Sequence, residues 1–219
     1  MVITTSPTKN LVTDTWVKAS WEEFIAFADD SDCIGRFYYY SNYMRIEMAS
    51  VGSSHGRQNS IMSKFVSLYA TFNNLEVVEF INTSFRKKGM REFQPDLSFY
   101  IGSDLRIPPE TNSPVDLDIY DPPTLVIEIG ATSVNDDLGR KRLLYERSGV
   151  KEYWVDDAKE RQIIAFLMTE GGSKEIRESI VLPGLSIDLV DEALKLSKVE
   201  KDAQMNRWLI ETFSKSRSQ

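Results

Sequence analysis

Asp96, Glu128 and Lys141 are the residues of this chain whose types and spacing could do chemistry. Asp96 follows Pro95, Glu128 lies inside the apolar run TLVIEIG (Thr124–Gly130), and Lys141 sits in DDLGRKRLLY (Asp136–Tyr145). Two carboxylates and one amine, delivered by separate elements, are the minimal kit for metal-dependent phosphodiester hydrolysis. Two protein oxygens with waters completing the shell are a usual way of holding Mg²⁺. An ammonium beside them can orient a water or stabilise charge developing on a phosphate. The same Glu128–Lys141 pair reads equally well as a structural ion pair. Little else here could carry chemistry: the chain has one His and one Cys, and no glycine loop to cradle a phosphate.

The elements that must position these groups are legible from pattern. Thr124–Ile129 is an almost continuous apolar run, which predicts a strand buried on both faces. An ionised Glu128 inside it is costly unless a cation pairs with it. Asp96 opens a second strand, to Ile101, and if the two strands are neighbours both carboxylates reach one edge of a sheet. The helix carrying Lys141 is expected over Asp136–Ser148, capped by Asn135 and closed by Gly149. Asp136 and Asp137 then favour its positive end. Glu152–Val155 is a further strand. Upstream, Ser20-Trp21-Glu22-Glu23 is a capping box opening a helix to about Ala28. Arg36–Tyr40 and Tyr43–Met48 form a hairpin around Ser41-Asn42. Ser53-Ser54 offers an N-cap to a helix whose buried face is Ile61, Phe65, Leu68, Tyr69 and Phe72, closed by Asn73-Asn74. Leu75–Asn82 reads as a strand. Residues 102–123 hold five of the eight prolines and read as an irregular loop. Arg161–Met168 and Glu175–Val181 form a hairpin, Ile187–Leu189 a short strand, and 191–213 one or two helices. Residues 1–15 look like a loose arm.

With 219 residues, 42% hydrophobic and 27% charged, the chain is long enough for one domain with a substantial core and is not of disordered composition. We divide it into a nuclease-like domain over 1–190 and a C-terminal helical extension over 191–219. Cys33 alone allows no internal disulfide and no cysteine zinc site. No signal-peptide core or membrane-length apolar run is present, so a cytoplasmic location and no membrane partner are expected. The net charge of -7 argues against coating nucleic acid by overall charge. Two basic clusters, Arg86–Lys88 with Arg91 and Arg140–Arg142 with Arg147, flank the carboxylates, although each singly reads as a solvated face.

The succession Pro95-Asp96, Val126–Ile129 with Thr132-Ser133, Asp137, Lys141, Tyr145 and Gly149–Asp156 (GVKEYWVD) resembles the bacterial putative restriction endonuclease family, a domain-of-unknown-function family within the PD-(D/E)xK nuclease superfamily. The resemblance covers about residues 20–190. It implies an α/β (α+β) restriction-endonuclease-like core with a central mixed sheet flanked by helices. It implies Mg²⁺ or Mn²⁺ held by Asp96 and Glu128 with the Ile129 carbonyl as a further ligand, Lys141 positioning the water, DNA as substrate, and a homodimer. The superfamily's usual lysine falls two residues after the Glu, where this chain has Gly130; Lys141 takes the place to which the resembled family moves it. A non-catalytic nucleic-acid- or partner-binding protein on the same fold is the alternative.

His55, the only histidine, starts the helix expected beside the sheet edge and is a fourth catalytic candidate, as metal ligand or proton carrier; the family often has His there. Gln58 shares its face. Arg45 and Glu47 alternate along a strand and read as a surface pair. Tyr145, one turn after Lys141, could buttress it, while Tyr153 and Trp154 build core. Arg140 and Arg142 are candidate phosphate contacts.

Overall fold

Ser20 closes both halves of its capping box: its hydroxyl accepts from the Glu23 amide and Glu23 reaches back to the Ser20 N–H, starting helix α1 (Trp21–Ala28). Phe24 on its inner face stacks among Trp21 and Tyr39. The computed structural model describes residues 12–48, 52–130 and 133–216. Of the expected arm, 1–11 lie outside the described residues, as does Thr132; residues 12–15 carry no helix or strand.

Two six-stranded sheets, both mixed, form the framework. The first contains β1 (Val17–Lys18), β2 (Arg36–Tyr40), β3 (Tyr43–Glu47), β5 (Phe85–Lys87), β6 (Arg91–Phe93) and β8 (Val115–Asp116), in the order β1-β3-β2-β6-β5-β8. Ser41 and Asn42 both take positive φ, 52° and 60°, the two-residue turn that matches strand twist. The second contains β4 (Val77–Ile81), β7 (Leu97–Ile101), β9 (Leu125–Gly130), β10 (Glu152–Asp157), β11 (Gln162–Thr169) and β12 (Gly172–Ile176), in the order β12-β11-β10-β9-β7-β4. β9 and β10 run parallel at its centre, as a helical crossover requires.

Helix α2 (Ser53–Phe72) packs Ile61, Phe65 and Tyr69 against one face of the second sheet, with Leu125, Ile127 and Ile129. Its N-cap is Gly52, with no side-chain cap bond, in place of the expected Ser53-Ser54. α5 (Ile187–Leu196) and α6 (Asp202–Ser216) add Val190, Leu194, Met205, Leu209 and Phe213 to the same core. The expected strand at Ile187–Leu189 is therefore the first turn of α5: Ser186 accepts from the Asp188 amide and starts a helix. On the other face, Val126 packs with Tyr38, Tyr145, Tyr153 and Phe166.

The crossover from β9 to β10 is the element that matters for the site. It comprises α3 (Val134–Asp136), a π-helical turn (Asp137–Lys141) and α4 (Arg142–Ser148), ending at Gly149 in the left-handed region with φ 83°. The residue before α3 is Ser133, so Asn135 is inside the helix and is not its cap. Gly139, at φ -96° and ψ -110°, breaks the helical path within the wide turn. Such a bulge re-aims side chains, and both Asp137 and Lys141 are buried. The proline-rich 102–123 loop is tied down through β8, which pairs with β5.

Candidate active site

Register places the carboxylates together. β7 pairs antiparallel with β9, with Leu97 opposite Ile127, so Asp96 stands beside the end of β9 where Glu128 lies. The Ile129 amide donates to Asp96 Oδ2 at 2.8 Å. Asp96 Oδ1 lies 2.6 Å from Arg36 Nη1 and 3.0 Å from His55 Nε2. On β9, odd residues face α2 while Val126 and Glu128 face the opposite core. Tyr145 donates to Glu128 Oε1 at 2.5 Å, and the Tyr38 hydroxyl, which donates to the Gln94 carbonyl at 2.7 Å, lies 3.4 Å from the same oxygen.

Lys141 is buried, with its ammonium among three carboxylates. Its Nζ is 2.8 Å from Glu47 Oε1, 3.1 Å from Asp137 Oδ1 and 3.5 Å from Glu128 Oε1. The ammonium also lies 4.4 Å from the Tyr38 ring centroid, a favourable placement for a cation. Asp96, Glu128, Lys141 and His55 are thus brought into one cluster. Of Ile129, the amide is committed to Asp96.

Two members were misjudged from sequence. Arg45 and Glu47 are buried, not a surface pair: Glu47 takes Arg45 Nε at 2.9 Å, Arg36 Nη2 at 3.1 Å and Lys141. Asp137 does not simply serve the helix dipole; it is buried, accepts from Ser133 Oγ at 2.7 Å and pairs with Lys141. The signal for both was present: an acid at alternate spacing on an aromatic strand, and an acid four residues before a lysine. Tyr145 holds Glu128 rather than Lys141. Arg140 lies over Tyr43 at 3.9 Å and Trp16 at 5.4 Å, and Arg142 over Phe166 at 4.9 Å, so both guanidiniums rest on aromatic rings. Arg86 pairs with Glu92 and Asp29, which neutralises much of the first basic cluster. Gln58 turns away to Asp156 and Arg161, at 3.0 and 3.1 Å in the amide orientation that satisfies both.

Electrostatics follow from burial and company. Burial raises the Asp96 carboxyl, but the His55 hydrogen bond, Arg36 and the Ile129 amide outweigh it and hold it at about 2. For Glu128 burial wins: Lys141 and Arg36 oppose it, Asp96 and Asp137 reinforce it, and the carboxyl is pushed up to about 8. Glu47 is likewise raised by burial yet ends below its ordinary value because Lys141 and Arg36 face it. Burial lowers Lys141, but Glu128, Tyr38, Asp137 and Glu47 drive it well above the ordinary lysine range.

A cleft of about 360 Å³ opens onto Arg36, Glu47, His55 and Asp96. Larger clefts, of about 520 and 550 Å³, lie beside Arg86 and beside Lys151 and touch neither Asp96 nor Lys141; size does not identify the site. Among the described residues, no three His, Cys, Asp or Glu side chains form a ready-made metal cage, because basic groups stand between the acids. Oxygens of Asp96, Glu47 and Glu128 nonetheless face a single cation, the Arg36 guanidinium, at 2.6, 3.1 and 3.8 Å. A hard, all-carboxylate donor set around one positive charge fits Mg²⁺ or Mn²⁺.

Residues 21–197 match the Uma2 family, described as Putative restriction endonuclease, and the chain belongs to that family. Its fold is similar to that of a putative nuclease belonging to DUF820 from Anabaena variabilis ATCC 29413, with a TM-score of 0.55 and 18% identity, covering 80% of this chain and 98% of that one. No curated protein matches the sequence. The family's description supports a nuclease, and among the described residues no helix is long and apolar enough to cross a membrane.

Proposed function

We propose that the protein is a metal-dependent endonuclease that hydrolyses DNA phosphodiester bonds, with Asp96 and Glu128 as the metal-holding carboxylates. The observation that carries this reading is the convergence of Asp96, Glu128 and Lys141. Glu128 Oε1 is 3.5 Å from the Lys141 ammonium, and its other oxygen shares Arg36 with Asp96, distances that one cation and one water can bridge. The Ile129 carbonyl, at the same strand end, is the further ligand in this reading. Bound there, Mg²⁺ or Mn²⁺ would polarise the phosphoryl group and lower the pKa of water. Lys141 orients the attacking water and is itself oriented by Glu47 and Asp137. His55 holds Asp96 through Nε2 and stands at the cleft, where a proton carrier is needed. The water oxygen forms a bond to phosphorus, one P–O ester bond breaks, and the leaving oxygen takes up a proton. The reading includes a cytoplasmic homodimer in which each subunit cuts one strand.

A non-catalytic binding protein is the second reading. It is favoured by one observation: the Lys141 ammonium already lies among three carboxylates and its side chain is almost wholly shielded from solvent. Plasmid and single-stranded DNA incubated with Mg²⁺ or Mn²⁺ separate the two. Nicking by the wild type that Asp96→Asn and Glu128→Gln both abolish establishes the nuclease. Binding of DNA by all three proteins with no cut by any supports the second reading, and cleavage that survives both substitutions refutes the assigned site.

A further inference from the structure

Three of the four carboxylates at this site, Asp96, Glu128 and Glu47, divide their oxygens in a consistent way. Asp96 Oδ2 is held by the Ile129 amide, Glu128 Oε1 by Tyr145 and Lys141, and Glu47 Oε1 by Lys141 and Arg45. The other oxygen of each faces Arg36: Asp96 Oδ1 at 2.6 Å, with His55 Nε2 also 3.0 Å from it, Glu47 Oε2 at 3.1 Å and Glu128 Oε2 at 3.8 Å. The two central cations also differ. The Lys141 side chain is 1% exposed and locked, whereas that of Arg36 is 23% exposed, at the first position of β2 and on the wall of the open cleft.

We propose that Arg36 is a resident counter-cation. It holds these three oxygens together in the metal-free protein, and a divalent cation must displace it. Displaced, the guanidinium swings into the cleft, where it meets the phosphate of an entering strand. The inference rests on the proposed metal site and adds to it the residue that gates loading. Two cations cannot share oxygens this close without strong repulsion, so metal binding and Arg36 release are one coupled event. By linkage, anything that draws Arg36 outward, such as a bound phosphate, tightens the metal to the same extent. Arginine suits the role because its fork engages carboxylates and phosphates with the same geometry.

The test is Mn²⁺ affinity, read by electron paramagnetic resonance of free Mn²⁺ without DNA, for the wild type, Arg36→Met and Arg36→Lys, with Asp96→Asn as the control lacking a ligand. Arg36→Met removes the competitor and is expected to bind Mn²⁺ about tenfold or more tighter. Arg36→Lys keeps a charge and is expected to stay within about threefold of the wild type. Equal affinity for all three, or weaker binding by Arg36→Met, overturns the proposal and leaves the metal site standing. No Mn²⁺ binding by any protein overturns both. Should Arg36→Met fail to fold, the wild type decides. The ¹⁵Nε and ¹³Cζ resonances of Arg36, assigned by their loss in Arg36→Lys, must shift as Mg²⁺ saturates the site, and resonances that stay in place refute displacement.

Discussion

Replacing Lys141 with Met keeps the aliphatic stem and removes the charge that three buried carboxylates share. The nearest contact, Glu47 Oε1 at 2.8 Å, belongs to a carboxylate that Lys141 and Arg36 hold below its ordinary value against burial. Glu128 is already pushed up to about 8 by burial despite Lys141, so most of the loss falls on Glu47 and Asp137. Removing one partner of a buried pair costs about 3–5 kcal/mol. For a chain of 219 residues that is a drop in Tm of roughly 6–20 °C, at about 2–4 °C per kcal/mol. The cost depends on pH in a fixed direction. In the wild type the depressed Glu47 contributes stability that is present above the unfolded carboxylate range and is lost as pH falls through its folded value. In Lys141→Met the same group is raised, so its penalty is absent below the unfolded value of about 4.3 and grows as pH rises. Urea unfolding followed by tryptophan fluorescence, to which Trp154, fully buried on β10, contributes, measures both ends. The expected result is a destabilisation of about 3–5 kcal/mol at pH 8, falling to less than half of that at pH 5. A difference under about 1 kcal/mol, the value of a surface pair, or one equal at the two pH values, refutes the geometry described for Lys141.

Asp156 is buried, its Oδ1 has no partner, and burial outweighs Arg161 to raise it to about 7. The folded protein therefore keeps a proton that the unfolded chain loses near pH 4, so stability falls between about pH 4 and 7. Asp156→Asn should stabilise by about 2–4 kcal/mol at pH 8 and have little effect at pH 4, as thermal melts at the two pH values would show. A Cβ added at Gly130 would sit 2.7 Å from Val134 Cγ2 and 3.1 Å from Asp137 Oδ2. Gly130→Ala should cost about 1–3 kcal/mol in urea unfolding and, by pushing Asp137, slow plasmid nicking. Asp96→Asn and Glu128→Gln should each abolish metal-dependent nicking while leaving far-UV circular dichroism intact.

The parts of the fold that sequence made legible are those set by local rules. The Ser20 capping box, the Ser41-Asn42 turn, the apolar β9 and the Gly149 cap obey short-range chemistry, and all occur as read. The parts that escaped depend on partners distant in the chain. β5, β6 and β8 are two or three residues long, too short for a period to show, and exist because they pair with one another and with β2. Ile187–Leu189 has the composition of a strand, but the Ser186 cap and the core beneath α5 make it helix. In the cluster, the acids on β9 and before β7 could be read because apolar or proline neighbours made them conspicuous. Glu47 and Asp137 were hidden because each had an ordinary explanation nearby, and only the π turn at Asp137–Lys141 brings Asp137 inward with the lysine.

The position of the lysine follows from the same constraint. Gly130, where the superfamily's usual lysine would fall, has Val134 and Asp137 so close that no side chain fits without movement. The crossover that creates this crowding also carries Lys141, one wide turn further on, which under the proposed function is the replacement amine. Four carboxylates, Asp96, Glu128, Glu47 and Asp137, then end up buried in one place. Several kcal/mol per ion is lost to desolvation in such a cluster, and apolar residues of similar volume are commonly neutral or stabilising in its stead. Tyr38, Tyr145 and Tyr153 already pack there, so stability alone is poorly served by adding acids among them. Glu128, pushed up to about 8, is held against its own preference by the fold. Under the proposed function a divalent cation relieves that cost, because binding to the folded state alone adds stability in proportion to the logarithm of its concentration over Kd. Under that proposal, the burial that makes the cluster unfavourable as scaffolding is what a bound cation would offset.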